Sequence, residues 1–452
     1  MEAGIGSSRT SRTSRNSSLR SLSLRDQFPE DCPPTAHTIG HDSWQQAGVL
    51  LATSFNCGWI FSFSNLLLVP LGWGWGIPTL VIVGAFSCYA NYVLAEFHYI
   101  GGHRFIRYRD IMGHLFGKGM YYLTWFLQFS TFILTNMGFI LLGGRALKEI
   151  NQAFSDTPLR LQYFIIITGV IYFIFAYIIP NLSAMRMWLG VSMILTFSFI
   201  GVFLAALVID GKTHKHTHRN YEVSGRQLHK VFNGLSALSA AIASNNSGML
   251  PEIQSTLQEP VVKNMRRALY VQFTVGIMFY YGVSVAGYLV YGSEVSEYLP
   301  NNLSGPKWAV VFINAAVFLQ NVISQHMFVQ PVHEALDTRF LNFQESLYSK
   351  GNLIRRLFLR ASLFTVNSFV TAAIPFMGDF INLLGSFTLV ALTFIFPSMI
   401  FLKIKGNTVK VGEKAWHCAI IIVLSIIAVV TTASAFRLIV DNIADYRIFS
   451  NE

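Results

Sequence analysis

Charge is what this chain has least of. Only 12% of its 452 residues are Asp, Glu, Lys or Arg, against about 25% in an ordinary soluble protein. Hydrophobic residues supply 52%, Phe alone 38 positions. So little charge excludes a water-covered globular surface and implies a polytopic membrane protein. Cysteine is scarce too: Cys32, Cys57, Cys88 and Cys418 fall mostly inside apolar runs, so no disulfide framework is indicated. Residues 1–30 hold Arg9, Arg12, Arg15, Arg20 and Arg25 among serines, without the apolar core of a cleavable signal peptide. Neither HExxH nor GxSxG stands in a credible context, and Asp379 has no second intramembrane aspartate in a matching motif. No enzyme and no cofactor is therefore expected. His214, His216 and His218 alternate around Lys215 with no thiol or carboxylate cluster nearby, the pattern of a solvated loop more than of a metal site. The net charge of +10 is carried largely by short connections, where Lys and Arg set topology. It reads as a lipid-facing protein's topology signal, with no nucleic-acid partner.

What is present is a series of apolar runs near twenty residues long, about eleven by count. Four are clear from hydropathy alone: 77–97, 161–179, 188–209 and 419–435. Two others are interrupted. Residues 231–243 are small and apolar, about half a bilayer crossing. Ser244-Asn245-Asn246-Ser247-Gly248 then breaks the run before a helix-like pattern resumes, with Pro251 where a first turn tolerates it. The first span, 44–70, is broken at its centre by Ser54-Phe55-Asn56-Cys57-Gly58-Trp59. Broken backbone at membrane depth survives only when buried in protein or lining a cavity. Interruptions at the first and sixth spans are the pairing expected of a five-plus-five inverted repeat with solute held between the breaks.

The expected organisation follows. Residues 1–41 read as a disordered cytosolic tail and 42–440 as the membrane domain. Within it, repeat one covers about 42–210, repeat two about 231–403, and an extra helix about 416–440; 441–452 remain as an extracellular tail. The basic stretches 103–109 and 263–267 belong to the cytosolic side, and the sequon at Asn302 to the outside. Span three carries Gln128, Thr131, Thr135 and Asn136, of which Asn136 is a candidate lining residue. Span eight carries Asn314, Gln320, Asn321, Ser324, Gln325 and His326, too polar for a lipid-facing helix.

Gly248-Met249-Leu250-Pro251-Glu252-Ile253-Gln254 followed by 260–265 resembles the sixth-span signature of the amino acid/auxin permease family. With Ile106-Arg107-Tyr108-Arg109-Asp110, Gly378-Asp379-Phe380 and Val69-Pro70-Leu71-Gly72-Trp73, the chain is most similar to the plant proline and compatible-solute transporters, from about Asp42 to the last span. The resemblance implies an all-α LeuT-like fold, a plasma-membrane setting and proton-coupled uptake of proline, glycine betaine or γ-aminobutyrate. Physical reasoning adds a site. Free N–H groups at Gly58 and Trp59 suit a carboxylate, and carbonyls at Ser244 and Asn245 suit an amine. Asn56, Cys57, Asn246 and Ser247 complete the breaks, with Phe55 or Trp59 offering an aromatic face. No acidic residue lies in either break, which favours a net-neutral zwitterion. A broad neutral amino acid transporter, or a sensor or channel on the same fold, is the alternative. For the coupling proton the candidates are His326, well inside span eight, and Glu252, in the first turn after the second break.

Overall fold

The computed structural model describes residues 39–179, 185–213, 219–223, 225–246, 248–342, 344–346 and 348–445. The expected tail, apart from residues 39–41, lies outside them, as do the three alternating histidines, Ser247 and the last seven residues.

The first span opens at α1, Trp44–Phe55. Ser43 and Gln46 form a capping box: Gln46 N–H donates to Ser43 Oγ at 3.3 Å and Ser43 N–H to Gln46 Oε1 at 2.8 Å. After the break at Asn56 and Cys57 the chain resumes as a 3-10 turn, Gly58–Phe61, and a π-turn, Ser64–Leu68. It passes directly into α2, Val69–Glu96. Gly72 has φ 62° and ψ −174° inside that helix. This left-handed kink, which glycine adopts at no steric cost, turns the first span into the second. The Pro-Leu-Gly-Trp motif is thus a corner. A short hairpin follows, β1 Tyr99–Ile100 against β2 His103–Arg104. Gly101 and Gly102, φ 59° and 85°, supply its turn. This hairpin is the one sheet among the described residues, beside a single parallel bridge between Asp42 and Leu257.

The remaining helices are α3 Tyr108–Phe116, α4 Lys118–Phe154, α5 Leu161–Ile178, α6 Arg186–Thr213, α7 Gln227–Ser244, α8 Leu250–Ser255, α9 Val261–Val271, α10 Ile277–Tyr291, α11 Lys307–Phe340, α12 Lys350–Ala373, α13 Met377–Leu383, α14 Phe396–Lys405 and α15 Val411–Asp445. Among the described residues eight helices are long and apolar enough to cross a membrane. The other expected crossings are the two broken spans, α1 with Gly58–Leu68 and α7 with α8, and α12, which carries Lys350, Arg355, Arg356 and Arg360. Span three, expected over about 120–142, is α4 and runs to Phe154, because 143–154 continue as helix beyond the apolar stretch.

Burial separates the centre from the rim. The most apolar windows of α4 and α11 are 72% and 67% buried, that of α15 only 22%. Hence α4 and α11 are the central pair, packed along each other, and α15 is a peripheral helix. Small residues permit the closest approaches. A Cβ placed on Gly385, in the π-turn Leu384–Leu389, would lie 1.8 Å from the Ser239 carbonyl oxygen of α7. Residues 40–42 run alongside the end of α8. Gly40 N–H donates to Ser255 O at 3.1 Å and Asp42 N–H to Thr256 O at 2.7 Å, while Asp42 O accepts from Gln258 N–H at 2.9 Å. These bonds occupy backbone groups just past α8, whose carbonyls would otherwise lack partners.

Gly385→Val should force α7 and the π-turn apart, an overpacking cost of about 1–3 kcal/mol or more. Gly282→Ala, whose Cβ meets no atom within 4 Å, should leave the melting temperature of the purified protein within a degree or two. Equal melting temperatures for both variants would show that the close approach at Gly385 is dispensable.

Candidate functional site

The two breaks enclose a cavity of about 70 Å³. At roughly 10–15 Å³ per water-sized probe, that is room for about five to seven waters. Cys57, Trp59 and Phe63 line it from the first break, and Ala243, Ser244 and Asn246 from the second. Span three contributes Thr131, Thr135 and Phe139; α11 contributes Phe328; span ten contributes Ile381, Leu384 and Leu389. No charged side chain is in that wall among the described residues.

Each wall residue is held by a specific partner. Trp59 meets Phe139 edge-on at 6.1 Å between ring centroids. A Cβ on Gly138 would come within 2.4 Å of Trp59 Cζ2, so that glycine seats the indole. Ser244 Oγ donates to Ala241 O at 2.8 Å and accepts from the Tyr280 hydroxyl. Asn246 Nδ2 donates to Ile242 O at 2.8 Å and to Ser87 Oγ at 3.1 Å, and its Oδ1 accepts from Asn91 Nδ2 at 3.4 Å. Ser87 and Asn91, one turn apart on α2, therefore clamp the second break. The first break is tied reciprocally: Asn56 Nδ2 donates to Ala52 O at 2.6 Å and to Gly276 O, in the π-turn before α10, at 3.0 Å.

Of the site residues expected from sequence, Cys57, Trp59, Ser244 and Asn246 line the cavity. Asn56 and Asn245 are spent on the breaks themselves, Asn245 Nδ2 donating to Ala241 O at 2.8 Å. Gly58 is a packing position: a Cβ there would sit 2.7 Å from Val317 Cγ1 and 2.9 Å from Leu142 Cδ2. Its N–H points to Asn321 Oδ1 at 3.4 Å. Asn136 is turned from the cavity and accepts from Gln325 Nε2 at 2.6 Å, an interhelical bond between α4 and α11. Phe55 ends α1, its side chain outside the described set, and Ser247 lies outside it altogether. His326 is placed away from the cavity. On α11, Phe328 faces the cavity, whereas His326 faces Phe175 of α5 at 5.6 Å and His333 at 5.9 Å between centroids.

Thr131, Thr135 and Phe139 went unassigned in the sequence reading, although their i, i+4, i+8 spacing puts them on one helical face. That face continues downward. Gln128, one turn below Thr131, donates through Nε2 to Gly248 O in the second break at 3.1 Å and to Glu252 Oε1 at 2.9 Å. Glu252 Oε1 also accepts the Tyr108 N–H at 3.1 Å, while the buried Oε2 has no partner. Glu252 lines a second, smaller cavity of about 20 Å³ with Gln128, Arg107, Arg109 and Glu334. Arg107 Nε donates to Glu334 Oε1 at 3.0 Å across its floor. Burial opposes the charge on Arg107, but the Glu334 carboxylate outweighs it and holds the guanidinium above its ordinary value. Nearby, burial first and Arg104 second push His98 down to about 3, so it stays neutral and accepts from Arg104 Nε at 3.0 Å. On the opposite side of the main cavity Arg145 pairs with Glu297 at 2.6 Å, and Glu297 Oε1 accepts the Gly378 N–H at 3.0 Å. An ion pair thus lies on either side of the main cavity.

Asn246→Ala should raise the KM for transported solute at least tenfold by releasing the clamp, whereas Asn136→Ala should cost about 1–3 kcal/mol of stability with a near-native KM. A KM shift confined to Asn136→Ala would relocate the site to the Asn136–Gln325 pair.

Solved structures with the same architecture are themselves transporters. A Na+-coupled sialic acid symporter in a substrate-bound outward-open state matches with a TM-score of 0.55 at 12% identity, covering 88% of each chain. A nucleobase–cation symporter in a closed conformation matches with a TM-score of 0.54 at 13% identity, over 93% of this chain and 98% of that one. At such identities the likeness is one of fold, and the fold is LeuT-like. In sequence, the chain is 26% identical over 427 residues to GABA transporter 1 of Arabidopsis thaliana, covering 90% of this chain and 93% of the relative. It is 25% identical over 400 residues to Lysine histidine transporter-like 1 of the same plant, covering 85% of each. The profile of the transmembrane amino acid transporter protein family matches residues 40–438. With the broken spans, the cavity between them and nearly the whole membrane domain in agreement, this chain belongs to the transmembrane amino acid transporter family.

Proposed function

We propose that this protein is a proton-coupled symporter importing proline and the related zwitterions glycine betaine and γ-aminobutyrate across the plasma membrane. In this reading it has about eleven crossings, a cytosolic amino terminus and an extracellular carboxyl terminus. The first two repeats of five fall near 42–210 and 231–403. The observation that carries the substrate class is the wall of the main cavity: small, and uncharged among the described residues. A lysine or arginine solute would bury a cation without a carboxylate, at a cost of several kcal/mol. A zwitterion brings both charges and can satisfy each locally. Its ammonium or quaternary amine meets the faces of Trp59, Phe63, Phe139 and Phe328 and the carbonyl end of α7. Its carboxylate takes the Gly58–Phe61 turn and the hydroxyl of Thr135. The similarity to a relative named as a GABA transporter supports the same class.

For the coupling proton we favour Glu252 over His326. The bare Oε2 of Glu252 is a place for a proton inside the inner cavity, and Gln128 joins this carboxylate to the Gly248 carbonyl of the second break. Protonation removes a charge and adds a donor there, so Gln128 rearranges and the break with it. Opening of the Arg107–Glu334 pair then releases solute and proton to the inside, while Arg145–Glu297 keeps the outer approach shut.

In proteoliposomes with an acidic exterior, labelled proline, betaine or γ-aminobutyrate should accumulate above equilibrium; mere dissipation of a solute gradient would mark a channel. Glu252→Gln should retain exchange while losing accumulation and its pH dependence, with His326→Gln near native. Normal accumulation by Glu252→Gln with an unchanged pH profile would remove Glu252 from the coupling. Trp59→Ala should enlarge the cavity and admit larger neutral amino acids such as leucine, and an unaltered size limit would place the selectivity elsewhere.

A further inference from the structure

Beside the solute path, α9 presents a face that transport does not use. Lys263, Arg266, Arg267 and Tyr270 recur at i, i+3, i+4 and i+7, so they share one side of the helix. The other side, with Val261, Met265 and Leu269, is buried. The basic side borders an open surface groove of about 1120 Å³ that Trp44 of α1 and Tyr92 of α2 also line. The Arg267 guanidinium lies over the Trp44 ring at 5.8 Å and that of Arg266 over Tyr92 at 4.2 Å. Glu96 lies 3.5 Å from Arg266 and also pairs with Lys405. That single carboxylate leaves Lys263 and Arg267 as surplus positive charge. Further along the same chain Tyr270, Val275 and Met278 are 72%, 43% and 61% exposed, an apolar strip leading from the cations into the lipid-facing surface.

We propose that this groove binds an anionic phospholipid, its phosphate-bearing headgroup held by Lys263 and Arg267 and an acyl chain lying along Val271, Val275 and Met278. Charge complementarity selects the headgroup: guanidinium forks stacked on aromatic rings keep their N–H donors in fixed directions and match phosphate oxygens. Trp44, Tyr92 and Tyr270 are the aromatic residues expected at headgroup depth. The continuous apolar strip favours a lipid over a free phosphate, which has nothing to place there. In the orientation proposed above the lipid belongs to the cytosolic leaflet, where anionic headgroups and basic juxtamembrane segments attract each other. The inference does not depend on which solute is carried.

The test is native mass spectrometry of the full-length protein taken from micelles with equal phosphatidylinositol 4-phosphate and phosphatidylcholine. The wild type should retain the phosphoinositide preferentially, and K263Q/R267Q should lose that retention at least tenfold. The charge-matched K410Q/K414Q, with Lys410 just before α15 and Lys414 in its first turn, should behave as wild type. If the double variant does not fold, R267Q and R267K take its place, with retention weakened in the first and largely kept in the second. The proposal is overturned if the wild type shows no preference for the phosphoinositide. Equal loss in K410Q/K414Q, or undiminished retention in the groove variants, overturns it as well. Displacement of the lipid by the soluble headgroup at equal concentration would also contradict it, since the site would then read phosphate alone.

Discussion

Everything in this structure turns on the cost of broken backbone at membrane depth. A helix that stops mid-bilayer exposes N–H and C=O groups that lipid cannot satisfy, so each break must find partners inside the protein. Here each does so across the repeat boundary. Asn56 of the first break bonds the Gly276 carbonyl in the π-turn between α9 and α10, and Asn246 of the second is clamped by Ser87 and Asn91 of α2. First break to seventh span and sixth-span break to second span is the exchange that an inverted five-plus-five repeat requires. The residues that make the breaks possible are largely consumed in holding them.

That consumption explains how much of the site could be read from sequence. Both interruptions were legible, because a polar run within an apolar one has few physical solutions, and Cys57, Trp59, Ser244 and Asn246 do line the cavity. Asn56, Asn136 and Asn245 have the same chemical appearance as ligands, yet Gly276, Gln325 and Ala241 take the Nδ2 of Asn56, the Oδ1 of Asn136 and the Nδ2 of Asn245. Sequence cannot distinguish a buried amide that serves a solute from one that serves a carbonyl. The converse misses have the same cause. Thr131 and Thr135 resemble any threonine that bonds its own helix, as Thr131 does with Leu127 at 2.8 Å, and Ile381, Leu384 and Leu389 resemble core. Only tertiary packing turns them to the cavity. The π-turns at Ser64–Leu68, Gln272–Gly276, Leu384–Leu389 and Ala391–Ile395 were likewise silent, since those sequences are good ordinary helix.

The fold was more legible than the site because it depends on coarse features: run length, scarcity of charge and two breaks in corresponding places. The family motifs take on physical roles in the structure. The Pro-Leu-Gly-Trp sequence is the corner at Gly72; Arg107 and Tyr108 of the basic motif floor the inner cavity through Glu334 and Glu252; Gly378 gives its N–H to Glu297 at the outer ion pair. Between the two ion pairs one face of α4, from Phe139 through Thr135 and Thr131 to Gln128, joins the main cavity to Glu252. The main cavity and the inner ion pair thus share one helical face, which is the physical minimum for the coupling proposed above.

The central claim is that the space between the breaks holds the transported solute. A cryo-EM structure of the protein saturated with γ-aminobutyrate tests it directly. The account predicts solute density between Trp59 and Asn246, with the amine against the aromatic wall and the carboxylate toward the Gly58–Phe61 turn. An empty cavity at saturation, or density at another place in the membrane domain, would contradict it.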